Sequence, residues 1–191
     1  MTKRRTLSIA AAGLGLALIA AGCGSGSSQD YGGGHPDYGK ALAGSPPRLA
    51  ALHAQANQLL GGGLDAYERR IAALKGFPVV ANLWASWCGP CRAEFPTLQR
   101  LSARYGKEVA FLGVNSRDSE AAAKTFLEED PLSYPSFSDP KGEIGEALGT
   151  VGGLPDTAFY DAAGRLVYLK QGQYAHGSEL EADLRRYALG S

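Results

Sequence analysis

The stretch from Pro78 to Arg92 constrains what this chain can fold into more than any other. Pro78-Val79-Val80-Ala81-Asn82-Leu83-Trp84 is a short, mostly apolar run of the kind that makes a buried strand. Trp87-Cys88-Gly89-Pro90-Cys91-Arg92 follows almost at once. A helix is predicted from about Pro90 to Tyr105, with Phe95, Leu98, Leu101 and Tyr105 turned inward. A strand running straight into a helix start puts Cys88 at the helix N-terminus, where unpaired N–H groups and the helix dipole favour a thiolate. The thiolate is the attacking form in thiol–disulfide exchange, so the placement suits that chemistry. Cys91, one turn in, is less accessible and suits the resolving thiol. Pro90 fits because its missing N–H is not needed at a helix start.

The rest of the chain supplies the elements of an α/β fold. Pro46 and Pro47 open a predicted helix carrying Leu49, Leu52, Ala56, Leu59 and Leu60, stopped by Gly61-Gly62-Gly63. Asp65 with Glu68 three residues on predicts a capped second helix through Leu74. Val109 to Asn115 reads as a strand, and residues 119–129 as a helix capped by Ser119. The turn-rich stretch Ser133 to Pro140 has room for a short strand, and Ile144 to Leu148 reads as a short helix. Thr157–Tyr160 and Leu166–Lys170 flank the hairpin turn Asp161-Ala162-Ala163-Gly164. Ser178 is the expected cap of a last helix carrying Leu180, Leu184 and Tyr187. Strand–helix–strand implies a parallel unit, the hairpin adds antiparallel strands to the same sheet, and helices should cover both faces.

The ends and the charge bear on location and partners. Lys3-Arg4-Arg5 precedes an apolar stretch from Leu7 to Ala21, too short for a bilayer span. Ala20, Ala21 and Gly22 then precede Cys23, which resembles a bacterial lipobox with Ala20 in the place where Leu is commoner. The resemblance implies a signal peptide over 1–23 and lipid on Cys23. A signal cut elsewhere and an uncleaved anchor are the alternatives, and Arg4-Arg5 leaves the export route open. Residues 24–45 are rich in Gly and Ser and read as a flexible tether, spanning on the order of 25 Å. The folded body is expected over 46–191. Three cysteines are odd for an exported chain. With Cys23 lipidated, Cys88 and Cys91 remain, too close to clamp a long loop. A closed zinc site would need further ligands, and His35, His53 and His176 have no ligand spacing, so no metal or other cofactor is expected. A formal net charge of +0 gives no basis for a nucleic-acid partner. Without Lys3, Arg4 and Arg5, 16 basic residues face 19 acidic ones.

Trp-Cys-Gly-Pro-Cys after an apolar strand resembles the thioredoxin superfamily, and further residues resemble its extracytoplasmic TlpA/ResA-like branch. Asn82 stands where cytoplasmic thioredoxins carry a buried Asp and this branch usually has Asn. Glu94 matches an active-site Glu of the branch, and Pro96 the proline that kinks the active-site helix. Val151-Gly152-Gly153-Leu154-Pro155-Asp156-Thr157 resembles the cis-proline strand, although the branch often has Thr where Asp156 stands. The resemblance covers about 75–190. It implies a thioredoxin fold: a central mixed sheet with helices on both faces, an N-terminal helical extension over 46–74 and a central insertion within about 116–140.

The same resemblance implies a site. Cys88 attacks, Cys91 resolves, Glu94 moves protons to or from Cys91, and cis Pro155 lies beside the sulfurs. Trp87, Gly89, Pro90 and Leu154 face the substrate, while Trp84 belongs to the core. The implied activity is protein thiol–disulfide exchange with exported proteins that carry cysteines or disulfides. The expected setting is the outer face of a bacterial cell membrane, held by the N-terminal lipid, with a membrane electron-transfer protein as redox partner. The Gly89-Pro90 pair matches reducing thioredoxins, near roughly −270 mV, rather than strong oxidants near about −120 mV. A reductant role, for example in cytochrome c maturation, is therefore expected. Oxidative folding and a non-catalytic binding lipoprotein are the alternatives.

Overall fold

The computed structural model of the protein describes residues 34–191. The expected signal segment, Cys23 and the first part of the tether lie outside the described residues.

The apolar run forms β2, Val79–Trp84, buried along its whole length. Its residues alternate between two cores, Val80 and Trp84 in one, Val79, Ala81 and Leu83 in the other. A strand packed on both faces has no solvent side, which is why the run is apolar but for Asn82, whose amide is bonded to Thr157 and Asp156. β2 pairs in parallel with β3, Ala110–Ser116, and antiparallel with β5, Asp156–Tyr160. β1, Leu59–Leu60, β4, Ser136–Asp139, and β6, Leu166–Gln171, complete a six-stranded mixed sheet in the order β1-β4-β3-β2-β5-β6.

Helices cover both faces. α4, Gly89–Tyr105, α5, Glu120–Glu129, and α7, Gly177–Asp183, contribute to the core that holds both cysteines. There Trp84, Phe95 and Phe126 form a three-ring cluster with centroids 4.8–5.5 Å apart. α2, Pro47–His53, α3, Gly63–Ala73, and α6, Glu143–Leu148, contribute to the opposite core, with Leu49, Leu52, Tyr67, Ile71 and Ile144. α7 runs on into wide π-type turns over Leu184–Leu189, where Tyr187 stacks on Tyr168 at 4.1 Å.

The expected insertion supplies α5 and β4. β4 lies between β1 and β3, and Gly113 of β3 makes the fit possible. A Cβ at Gly113 would overlap Ser136 and meet the Trp84 indole nitrogen at 2.9 Å. That indole donates to Ser136 Oγ at 3.2 Å.

Four expectations need correction. The tether expected over 24–45 is folded at its C-terminal end. α1, Tyr38–Ala41, is capped by Asp37, Leu42 is buried, and the Tyr38 hydroxyl donates to Pro131 O. The first long helix stops at His53, and Leu59–Leu60 is a strand. Asn57 turns the chain in a left-handed conformation, and its side chain bonds Leu127 O and Leu132 N–H, so tertiary contacts override helical spacing. Asp65 is not a cap. α3 starts two residues earlier behind left-handed Gly62, and Asp65 serves its first turn through the helix dipole. Ser178 lies inside α7, whose cap position is the extended His176, without a side-chain cap bond.

Candidate active site

Three chain segments meet at one end of the sheet. β2 delivers the loop Ala85–Trp87 and the start of α4. The register Leu83↔Asp156 sets the start of β5, and so Leu154-Pro155, at the same end. The segment after β6 closes the third side.

Cys88 is the N-cap of α4, and its Sγ accepts from the Cys91 N–H at 3.2 Å. The two sulfurs are bonded to each other, and both residues are buried. Gly89 and Pro90 are exposed, Pro90 sitting within the first two helical positions. A hydrogen bond and a helix start aimed at Cys88 Sγ stabilise negative charge there rather than on Cys91. Pro96 lies inside α4, where its ring removes one backbone bond.

Trp87 is 63% exposed, yet its indole N–H is bonded to Arg117 O at 3.1 Å. The Leu154–Pro155 bond is cis, and Leu154 packs against both cores while Pro155 is buried. Trp84 is wholly buried, as expected for a core residue. A cavity of about 50 Å³ beside Trp87 is lined by Leu83, Arg117, Thr150, Gly153 and Leu154 among others. Val151, between the lining residues Thr150 and Gly152 in the chain, is 86% exposed.

Glu94 lies one turn beyond Cys91 and is buried. Its Oε1 accepts from Tyr174 N–H at 2.5 Å, and its Oε2 has no protein partner. Burial raises this carboxyl above the usual range, offset in part by the Tyr174 bond and the Lys170 ammonium. Asp156 repeats the pattern. Its Oδ1 accepts from Gly172 N–H at 2.9 Å, its Oδ2 has no partner, and burial raises it too, against the Gly172 bond and Lys170. Both carboxyls therefore lean on the same short segment, Gly172 to Tyr174. Lys170 donates to the carbonyls of Gln171, Gly172 and Gln173 and lies 5.1 Å from the Tyr174 ring centroid. Asn82 is buried and neutral, its amide donating to Thr157 Oγ1 and Asp156 O.

Sequence reasoning named Asp156 only as a departure from pattern and missed its pairing with Glu94 around one loop. A buried acid directly after the cis proline was the available signal. It also missed Lys170, Arg117, whose carbonyl holds the Trp87 indole, and Asp118, which accepts from Ser86 N–H. His35 bonds Glu129 O and Gln99, and no group of three or more His, Cys, Asp or Glu able to hold a metal occurs among the described residues. No helix among the described residues is long and apolar enough to cross a membrane.

A family model described as Redoxin matches residues 55–184. The thiol:disulfide interchange protein DsbE homolog of Paracoccus denitrificans is 42% identical over 95 residues, 49% of this chain and 50% of that one. The thiol-disulfide oxidoreductase ResA of Oceanobacillus iheyensis is 35% identical over 110 residues, 57% of each chain. The match thus spans about half the length of these curated relatives. Among solved structures, the exposed lipoprotein thioredoxin Etrx1 of Streptococcus pneumoniae superposes with a TM-score of 0.54 at 28% identity, covering 61% of this chain and 89% of that one.

Proposed function

The chain belongs to the Redoxin family, and on that premise we propose that it is a protein thiol–disulfide oxidoreductase working outside the cytoplasm, as a reductant of exported proteins. The observation that carries the reading is Cys88 at the cap of α4, its sulfur held by the Cys91 N–H, with Cys91 buried behind it. In the reducing direction the Cys88 thiolate attacks a substrate disulfide. A Cys88–substrate disulfide forms, and one substrate sulfur leaves as a thiolate that takes a proton. Cys91, deprotonated, then attacks Cys88 Sγ. The second substrate thiol leaves, and two electrons and two protons have passed to the substrate while Cys88–Cys91 forms. We assign the Cys91 proton to Glu94, a reading supported by its position one turn from Cys91 and by its unbonded Oε2.

Several features support the direction and the place. Gly89-Pro90 between the cysteines is the pair of reducing thioredoxins. No basic residue lies between the cysteines, and two buried carboxyls add no stabilisation to a thiolate. A reductant outside the cytoplasm needs electrons passed through a membrane protein. Lipid on Cys23 and a Gly/Ser-rich tether would keep the domain within reach of one. The name of one structural neighbour, an exposed lipoprotein thioredoxin, agrees with this setting. Cytochrome c maturation is one process that consumes such a reductant, because haem attachment needs reduced cysteines.

The test is insulin reduction with a redox titration of Cys88–Cys91 against glutathione. Turnover lost in Cys88→Ala and a potential near roughly −270 mV are expected. A potential near that of the strong oxidants would move the role to oxidative folding, and no turnover would leave a binding module. Mass spectrometry of the mature protein, showing diacylated Cys23 as the first residue, tests the anchor.

A further inference from the structure

We propose that Arg117 and Asp118, the loop between β3 and α5, form a latch that holds Ser86 and Trp87 and thereby positions Cys88 for attack. The inference rests on the thiol–disulfide reading of Cys88 given above.

The Asp118 carboxylate accepts four hydrogen bonds. Two come from Ser86, its N–H at 2.6 Å and its hydroxyl at 3.1 Å. The others come from the Asn115 side chain at 2.9 Å and the Ser119 N–H at 2.8 Å. Capping α5 does not require this acid, because Ser119 already does so by accepting from Ala122 N–H. What is left for Asp118 to do is to grip the loop before the cysteine. Asn115 ends the register in which β3 pairs with Trp84 of β2, so the acid is aimed from a rigid strand end.

Arg117 supplies the second grip. It is one of two non-glycine residues with positive φ among the described residues, at 54°. That conformation is uncommon for a residue with a side chain and is kept where the surroundings impose it. Its N–H donates to Asp139 O at 2.9 Å, and its carbonyl is presented to the Trp87 indole at 3.1 Å. A Trp that is 63% exposed is otherwise free to swing, so this bond fixes the ring of the residue next to Cys88. Adjacent residues Ser86 and Trp87 are thus tied at two points to one loop, and the next residue is Cys88.

The latch acts through geometry, which gives its test a sign. Burial alone would raise the Asp118 carboxyl, yet the bonds from Asn115, Ser86 and Ser119 together hold it below the usual range, so it stays charged where exchange operates. A nearby negative charge acting only as a charge opposes the Cys88 thiolate, and its removal would lower the Cys88 pKa. Loss of the latch does the reverse, because Cys88 no longer sits squarely at the helix start.

The experiment uses the reduced full chain and its Asp118→Asn variant. Alkylation of Cys88 by iodoacetamide is followed against pH, and exchange of the Trp87 indole N–H by NMR. Trp84 is told apart by its burial and by a Trp87→Phe spectrum. The expected result is a raised Cys88 pKa, alkylation near neutral pH slowed about threefold or more, and indole exchange faster by about tenfold. A lowered or unchanged Cys88 pKa overturns the proposal, as does unchanged indole protection. If Asp118→Asn does not fold, Ser86→Ala, which removes one of the two Ser86 bonds, decides: a smaller shift in the same direction supports the latch, and no shift overturns it. Failure of the functional reading would show separately, as no insulin reduction by the unsubstituted chain.

Discussion

Glu94 and Asp156 are buried acids, each with one bonded oxygen and one without a partner. Their carboxyls sit above the usual range because burial penalises the charge. The folded state therefore binds these protons more tightly than the unfolded chain. The stability these two groups contribute is fully present below the unfolded carboxylate pKa and is lost as pH rises from there through the raised folded values. Asp156→Asn keeps an acceptor for the Gly172 N–H and removes the buried charge. We expect it to raise Tm at neutral pH by roughly 2–4 °C for each kcal/mol relieved, with the gain vanishing in acid. Thermal melts at both pH values check this, and a lower neutral Tm would mean that attraction to Lys170 outweighs burial. Glu94→Gln should leave the fold intact and remove one step from the pH profile of insulin reduction, at a pH above the ordinary carboxylate range. An unchanged profile would reduce Glu94 to a structural helix residue.

At the scale of elements, the site depends on β2, β3 and β4 lying close. Gly113 is where that closeness is decided, and Gly113→Ala should cost about 1–3 kcal/mol by overpacking Ser136 and Trp84. Urea unfolding measures it. Most elements around the cysteines could be read along the chain, because an apolar run, a Ser cap at Ser119 and a turn at Asp161–Gly164 are local signals. The cap of α7, the strand at Leu59–Leu60 and the role of Asp118 could not. Leu59 pairs with Ser136 and Asp118 bonds Ser86, and no local pattern carries a partner tens of residues away.

For the molecule as a whole, the segment before α2 is part of the fold. Leu42 is buried, within reach of a Cβ built on Gly106, and His35 and Tyr38 bond the end of α5 and the turn after it. A chain beginning at residue 46 should therefore melt lower than one beginning at residue 34, by several degrees if about 2 kcal/mol of Leu42 burial is lost. Equal melting temperatures would return residues 34–45 to the tether.

The sequence by itself determined the strand–helix junction, the two sulfurs and which of them caps the helix, because a helix start and a CxxC spacing are properties of neighbouring residues. It also carried the mixed sheet, through an apolar run, a parallel unit and a hairpin in chain order. Only the tertiary structure decided what surrounds the sulfurs. Glu94, Asp156 and Lys170 come from three separate elements and converge on Gly172–Tyr174, while Arg117 and Asp118 reach Ser86 and Trp87 from the loop after the neighbouring strand. Burial and hydrogen bonding between distant segments set the charge and the rigidity of the site, and both arise only when the sheet closes.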